Sequence, residues 1–278
     1  MQYQVLNNGD KIPMLGYGVF EIPDKECTEC VLRAMQHGYR HIDTAQIYGN
    51  EEGVGRAIEN CGLPRSELYI TSKVWVKQFG YDKTLKSIDL SLKKLKTDYI
   101  DLMLLHRPYF DYINAWKALE KALSDGKVRA IGISNFNIKQ TKEILDIAAV
   151  KPAVNQIELH PYFCRKKLKE FLSENGIAVE AWYPLGHGNK KLLSNPLFEK
   201  LSKKYEKTPS QIILRWHIQC GNIIFPKTKS AIHMDENMDI FSFELSSQDI
   251  NAITALDKNK ALFNVPDWVQ KLQIKLSR

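Results

Sequence analysis

Short runs rich in β-branched residues alternate along the chain with longer stretches whose apolar positions recur every three to four residues. A run of the first kind fits a strand buried on both faces, and one of the second kind fits a helix that buries a single stripe. Their alternation predicts repeated βα units around a parallel sheet. Eight strand segments are expected, at 14–18, 41–43, 69–72, 100–105, 128–134, 154–158, 178–183 and 223–225. Before them, Asn7-Asn8-Gly9-Asp10 marks the turn of an N-terminal β-hairpin. Leu85, Ile88, Leu92 and Leu95 keep helical spacing on one of the intervening segments. Thr208-Pro209-Ser210-Gln211 reads as a capping box with proline in the first turn, Ser246-Ser247-Gln248-Asp249 opens another helix, and Asp125-Gly126 closes one. No composition break divides the chain, so the expectation is one α/β domain over 1–278, a closed (β/α)8 TIM barrel with an N-terminal β-hairpin.

Composition narrows the class. With 278 residues, 44% of them hydrophobic and 26% charged, the chain can bury a large core. No apolar run approaches the roughly 20 residues of a membrane span, and no basic-then-apolar leader is seen at the start, so a cytoplasmic protein without a membrane partner is expected. The charge of +7 suits anionic ligands, yet Lys and Arg are scattered without a reading motif, and nucleic acid is not an expected partner. Five cysteines in a scattered, odd set argue for free thiols, and Cys27-x-x-Cys30 falls inside an expected helix, where small packing residues are the simpler reading.

The chemistry sits at strand ends. The segment 41–43 ends on Asp43, with Tyr48 five residues later; the next strand runs out onto Lys73, and the one after that onto His106. A parallel barrel gathers the carboxyl ends of its strands at one mouth, where catalysis takes place. Singly, Asp43 reads as a helix cap, Tyr48 as a loop aromatic and His106 as a core histidine; Lys73 entering a barrel mouth needs a partner in any reading. Their coincidence at comparable strand ends favours an active site. Two alternatives remain: a metal-dependent hydrolase barrel using His41, Asp43, His106 and His160, and a nicotinamide-binding sensor barrel with slow turnover.

Taken in order, Gly16-Tyr17-Gly18-Val19-Phe20, the stretch from Gly38 to Glu51, Thr71-Ser72-Lys73-Val74-Trp75, Leu105-His106-Arg107-Pro108, Gly132-Ile133-Ser134-Asn135-Phe136, Val154-Asn155-Gln156, Ala181-Trp182-Tyr183-Pro184-Leu185-Gly186 and Pro226-Lys227-Thr228-Lys229-Ser230 resemble the aldo-keto reductase family, in particular its compact bacterial and protozoan members. The resemblance implies a barrel that reduces aldehydes or ketones with NADPH and without a metal, Tyr48 being the general acid and Asp43, Lys73 and His106 the rest of a catalytic tetrad. It places Trp182 against the nicotinamide and Ser134, Asn135 and Gln156 on its carboxamide. Gly18, Val19, Leu185, Gly186, His233 and Asn237 join the coenzyme site by the same resemblance. Chemistry agrees: an alkoxide formed by hydride addition needs a proton, and a phenol with pKa near ~10 is expected to be brought down by Lys73, with Asp43 holding the ammonium and His106 orienting the carbonyl oxygen.

No Rossmann fingerprint is present, since Gly16-x-Gly18 lacks its third glycine. The coenzyme is therefore expected at the loops Leu185-Gly186-His187-Gly188 and Lys227-Thr228-Lys229-Ser230, with Lys227 and Lys229 beside the 2′-phosphate and Thr228 and Ser230 adding hydroxyls. The family commonly has arginine where this chain has His233, which weakens the phosphate grip and leaves NADH as an alternative coenzyme. Arg107 stands where the family often has tryptophan, which points to acidic or phosphorylated carbonyl substrates. Phe20, Ile47 and Trp75, with Phe110, are expected to form the apolar wall around Arg107 and His106. The expected substrates are small aldehydes, α-dicarbonyls or keto acids, turned over by a monomer. In the tail, 264–278, Trp268, Val269 and Leu272 have the spacing of a helix packed on the barrel's outside.

Overall fold

The computed structural model describes residues 1–263 and 265–276. Strands β1 (Tyr3–Val5) and β2 (Lys11–Pro13) pair antiparallel with Gln4 opposite Ile12, which is the expected hairpin. The strands β3 (Tyr17–Gly18), β4 (His41–Asp43), β5 (Tyr69–Val74), β6 (Ile100–Leu105), β7 (Val128–Ser134), β8 (Val154–Glu158), β9 (Ala178–Trp182) and β10 (Asn222–Ile224) form an eight-stranded parallel sheet in chain order. The sheet closes on itself: Leu15 bridges Ile224, the Gly16 N–H donates to the Ile224 carbonyl at 2.8 Å, and the Ile224 N–H donates to the Met14 carbonyl at 2.9 Å. The first barrel strand was expected over 14–18, but only Tyr17–Gly18 pair with β4. Residues 14–16 turn to the seam instead, and Gly16 passes so near Phe225 that a Cβ would lie 2.6 Å from its ring.

Twelve helices surround this ring among the described residues: α1 (Asp24–Gln36), α2 (Glu51–Asn60), α3 (Tyr81–Leu95), α4 (Tyr112–Ser124), α5 (Ile138–Leu145), α6 (Lys166–Glu174), α7 (Lys190–Leu193), α8 (Pro196–Tyr205), α9 (Pro209–Gln219), α10 (Ala231–Met238), α11 (Ser247–Thr254) and α12 (Asp267–Leu276). Their starts follow the local chemistry. Thr208 and Gln211 close a reciprocal capping box on α9 with Pro209 at its first turn, and the Ser246 hydroxyl accepts from the Asp249 N–H at the head of α11. The stripe read from the sequence on α3 buries Ile88 and Leu95. Cys27 and Cys30 are buried free thiols on α1, and burial pushes the Cys27 thiol up to about 12, which suits packing rather than reaction at Cys27. Gly53 of α2 fits against that face because a Cβ there would meet Cys27 at 2.7 Å.

Inward positions alternate along each strand, and their character changes with height. At the floor, Leu6 and Ile12 of the hairpin join Tyr69, Leu102, Ala130, Val154, Ala178 and Ile223 in an apolar plug. Two residues further along β4, β5, β8 and β9, the inward positions become polar, and at the mouth they are Asp43, Lys73, Gln156 and Trp182. Helix α12 crosses near this mouth. Among its described side chains Ile274 is buried, whereas Trp268 is 70% and Leu272 48% exposed. Of the expected stripe, Trp268 and Leu272 are therefore turned to solvent, while Val269 is half-buried. Gln270, held by Arg107, and Ile274 set the rotation of the helix instead. Asn264, Ser277 and Arg278 of the tail lie outside the described residues.

Candidate active site

Three strand ends and one turn bring Asp43, Lys73, His106 and Tyr48 to the mouth. Lys73, last inward residue but for Trp75 beyond β5, is wholly buried. Its ammonium donates to Asp43 Oδ1 and Oδ2 at 2.7 and 2.8 Å, to the Thr44 carbonyl at 2.8 Å and to the Tyr48 hydroxyl at 3.4 Å. An ammonium has three hydrogens, and this arrangement occupies them around one side. Burial pulls the Lys73 pKa down, but Asp43, Tyr48 and Glu180 together outweigh it and the ammonium sits above its ordinary value. Tyr48 lies in the single 3-10 turn Gln46–Tyr48, ended by Gly49 at φ 67°. Gln46 fixes this turn by accepting from the Trp75 N–H at 2.9 Å and donating to Ser91 Oγ at 3.1 Å. Asn50 fixes its other end by donating to the Val19 and Ile22 carbonyls, both at 2.9 Å.

Tyr48 does not have the lowered pKa expected of it. Burial raises the phenol above its ordinary value, and Lys73 only offsets part of that rise, while Asp43 adds to it. Lys73 therefore makes a phenolate tolerable in a place that would otherwise forbid one. His106 faces Tyr48 edge-on at 5.8 Å between ring centroids and Trp75 at 5.2 Å. Burial, then Lys73 and Arg107, hold the imidazole far below its usual pKa, so it is neutral, and its Nδ1 is buried without a hydrogen-bond partner in the structure. A neutral imidazole carries one N–H, which is available as a donor.

Asp43, Tyr48 and His106 open into a cavity of ≈ 550 Å³ that also takes in Phe20, Ile47, Trp75, Arg107, Trp182 and Lys227. Gly18, Ser134, Asn135, Gln156 and Leu185 line it as well. Asn135, in the left-handed region at φ 66°, is tied to its neighbours: Nδ2 donates to the His106 carbonyl and to Ser134 Oγ, and Oδ1 accepts from Trp182 Nε1 at 2.9 Å. Its amide thus sets the Trp182 indole at the cavity wall. Val19 and Gly186 are buried behind the wall, Val19 through an N–H bonded to the Asp43 carbonyl at 3.1 Å. A side chain at Gly18 would press on the Phe225 carbonyl at 3.0 Å, so glycine lets the end of β3 lie close against the chain that leaves β10.

The loop after β10 carries Lys227, Thr228, Lys229 and Ser230 onto α10. Ser230 caps that helix by accepting from the His233 N–H, and the Thr228 hydroxyl lies 3.5 Å from His233 Nδ1. Both lysines are anchored by acids that the sequence reading did not single out, Lys227 to Glu21 at 3.4 Å and Lys229 to Glu26 at 2.6 Å. Asn237 is buried on α10, the helix whose Met234 carbonyl accepts from the Tyr39 hydroxyl at 3.5 Å. Glu180, Glu21 and Phe263 also escaped that reading. Glu180 left a signal, a carboxylate amid the apolar run 178–183, whereas Phe263 reaches the cavity only through the path of the tail.

The histidines proposed for a metal site are dispersed. His41 Nε2 bonds Thr71 Oγ1 at 2.9 Å and its Nδ1 bonds the Pro13 carbonyl at 3.1 Å, while His160 pairs with Glu158. Among the described residues no group of three or more His, Cys, Asp or Glu is placed to hold a metal ion.

A parallel eight-stranded barrel with an acid, an ammonium, a phenol and a neutral imidazole at its mouth defines a class of oxidoreductase, and comparison with known proteins agrees. The sequence matches the Aldo/keto reductase family over residues 14–258, and the chain belongs to that family. It is 46% identical over 264 residues to a glyoxal reductase of Bacillus subtilis, covering 94% of this chain and 95% of that one. The crystal structure of an aldo/keto reductase from Brucella melitensis superposes with TM-score 0.89 at 46% identity, covering 92% of this chain and 99% of that chain. An aldo-keto reductase from Bombyx mori in complex with NADP superposes with TM-score 0.90 at 32% identity, covering 96% of each chain. No helix among the described residues is long and apolar enough to cross a membrane.

Proposed function

We propose that this protein reduces small aldehydes, α-dicarbonyls or keto acids to alcohols, with Tyr48 as proton donor and NADPH as preferred coenzyme. The observation that carries the reading is the Lys73 ammonium, held by both Asp43 oxygens and directed at the Tyr48 hydroxyl inside the cavity. The residues present suit a nicotinamide coenzyme: Trp182 offers an indole fixed by Asn135, Gln156 an amide, and Lys227 a cation on the same cavity. NADPH, when bound, supplies the hydride that reduces the carbonyl carbon. The chain's part is to hold and protonate the oxygen. His106 donates its N–H to the carbonyl oxygen and so favours the developing negative charge. Tyr48 then gives its phenolic proton to that oxygen, leaving a phenolate beside Lys73, and solvent returns the proton after the alcohol leaves. The Bombyx mori complex with NADP supports the coenzyme, as do Lys227 and Lys229 on the loop after β10. The Bacillus subtilis relative's name, glyoxal reductase, supports a small dicarbonyl.

Oxidation of NADPH by a panel of aldehydes, α-dicarbonyls and keto acids tests the proposal. Tyr48→Phe is expected to lower kcat by about 10²-fold or more, the usual contribution of a general acid. Turnover by Tyr48→Phe at the rate of the unaltered protein would overturn it.

A further inference from the structure

The reaction above uses Asp43, Lys73, Tyr48 and His106 and leaves Glu180 without a task. Glu180 projects from the middle of β9 into the barrel and is completely buried. Its Oε2 accepts from Gln156 Nε2 at 2.8 Å, and its Oε1 has no hydrogen-bond partner in the structure. The same Gln156 nitrogen donates to Asp43 Oδ1 at 2.9 Å. A primary amide nitrogen carries two hydrogens, and both are engaged. Turning the amide over would set its carbonyl oxygen against the Asp43 carboxylate, so the charge on Asp43 dictates which way Gln156 faces. Gln156 lines the cavity, and what it can still offer there is an acceptor. The groups facing Glu180 from the packed strands are Gln156 on β8, Asp43 on β4, and Lys73 and Tyr69 on β5.

We propose that Glu180 is a positioning residue for carbonyl reduction: uncharged, it fixes Gln156 and leaves Asp43 and Lys73 as a balanced pair beneath Tyr48, and its ionisation slows the reaction. This inference rests on the function proposed above. Burial, then the neighbouring Asp43, push the Glu180 carboxyl up to about 8, so the change falls in an accessible range of pH. Losing that proton to solvent adds a second negative charge to the polar group that already holds Asp43. The phenolate that Tyr48 must become after giving up its proton is then disfavoured by like charge. A purely structural carboxyl would not couple its titration to the chemical step.

The test is the pH profile of kcat at saturating coenzyme and carbonyl. The unaltered protein is expected to lose rate above about pH 8. The isosteric, uncharged E180Q is expected to carry its plateau upward by about one pH unit or more, where the rate is next limited by other groups. Infrared difference spectra of the unaltered protein, glutamate-labelled and titrated across the same range, need no variant and are expected to show a protonated carboxyl vanishing with the same midpoint. A limb that falls at the same pH in E180Q, or the absence of any protonated glutamate carboxyl at neutral pH, would overturn the assignment. If Tyr48→Phe is inactive while E180Q leaves the limb unmoved, carbonyl reduction stands and only the role of Glu180 falls. If Tyr48→Phe turns over normally, both readings fail together.

Discussion

Arg107 lines the cavity next to His106, and two neutral partners hold its guanidinium: Gln270 Oε1 accepts from it at 2.7 Å, and the Phe263 ring lies 5.1 Å below its carbon. A cation steadied this way at a cavity wall keeps its charge for a ligand. A keto acid should therefore be preferred over its ester, and Arg107→Ala should erase about ten-fold or more of that preference, in line with a charge-assisted hydrogen bond of about 1.5–3 kcal/mol. Ratios of kcat/KM for the acid and ester pair check it; an unchanged ratio would show that the cation turns away from substrate. Arg107 itself was legible because it departs from the family's pattern at a counted position. The partners of Arg107 were not, since Gln270 is 163 residues distant in sequence and no local rule brings it there. The same holds for Tyr48. Its neighbour Lys73 can be inferred from strand ends, but the net direction of its pKa depends on how deeply the phenol is buried, which only the assembled barrel decides.

Element by element, the strands were legible because fully buried parallel strands are short apolar runs, and the barrel order repeats the chain order. The misjudged ends have local physical causes. The segment expected over 178–183 stops at Trp182 because Tyr183 turns into the left-handed region at φ 56°, and the segment expected over 69–72 runs on to Val74 because β6 pairs with it that far. Close approaches between helices were silent in the sequence. Gly55 of α2 lies against the end of α3 so tightly that a Cβ would stand 2.1 Å from the Lys94 carbonyl. Backbone cannot yield as a flexible side chain does, so Gly55→Ala should cost about 1–3 kcal/mol by forcing α2 and α3 apart. Urea denaturation, read as a lowered midpoint at unchanged slope, measures that cost. A midpoint within error of the parent would mean the two helices slide freely.

Across the whole molecule, buried titratable groups pull stability in opposite directions. His41 and His217 are held neutral by burial, with pKa values near about 3. Unfolding frees both to bind a proton near their ordinary pKa of about 6.5, so each makes stability fall as pH drops below that value, by about 1.4 kcal/mol per pH unit. Glu180 has the opposite sign. Its folded pKa of about 8 exceeds that of an unfolded glutamate, so the native state is the better proton binder between about 4.3 and 8, and stability rises there as pH falls. Between pH 6.5 and 4.5 its slope cancels that of one such histidine. E180Q lacks this compensation and should lose stability more steeply with acidification over that window than the parent does; groups common to both proteins drop out of the comparison. Thermal melts of the two proteins across that window decide it, and parallel curves would count against a protonated Glu180. None of these depths could be read from composition, because a charge of +7 records how many groups ionise and not which are enclosed.

The ring of strands is sewn unevenly. Along the line where β3 meets β10, the stitches are the two backbone bonds around Ile224, and from that line the chain runs straight into the segment bearing Lys227 and Lys229. A line held by so few bonds is among those where a cylinder gives early. Swelling under heat or chaotrope should thus begin next to the segment that would grip a phosphate, and a charged guest lodged there would act as a clasp, lending the seam a firmness that the bare backbone does not supply.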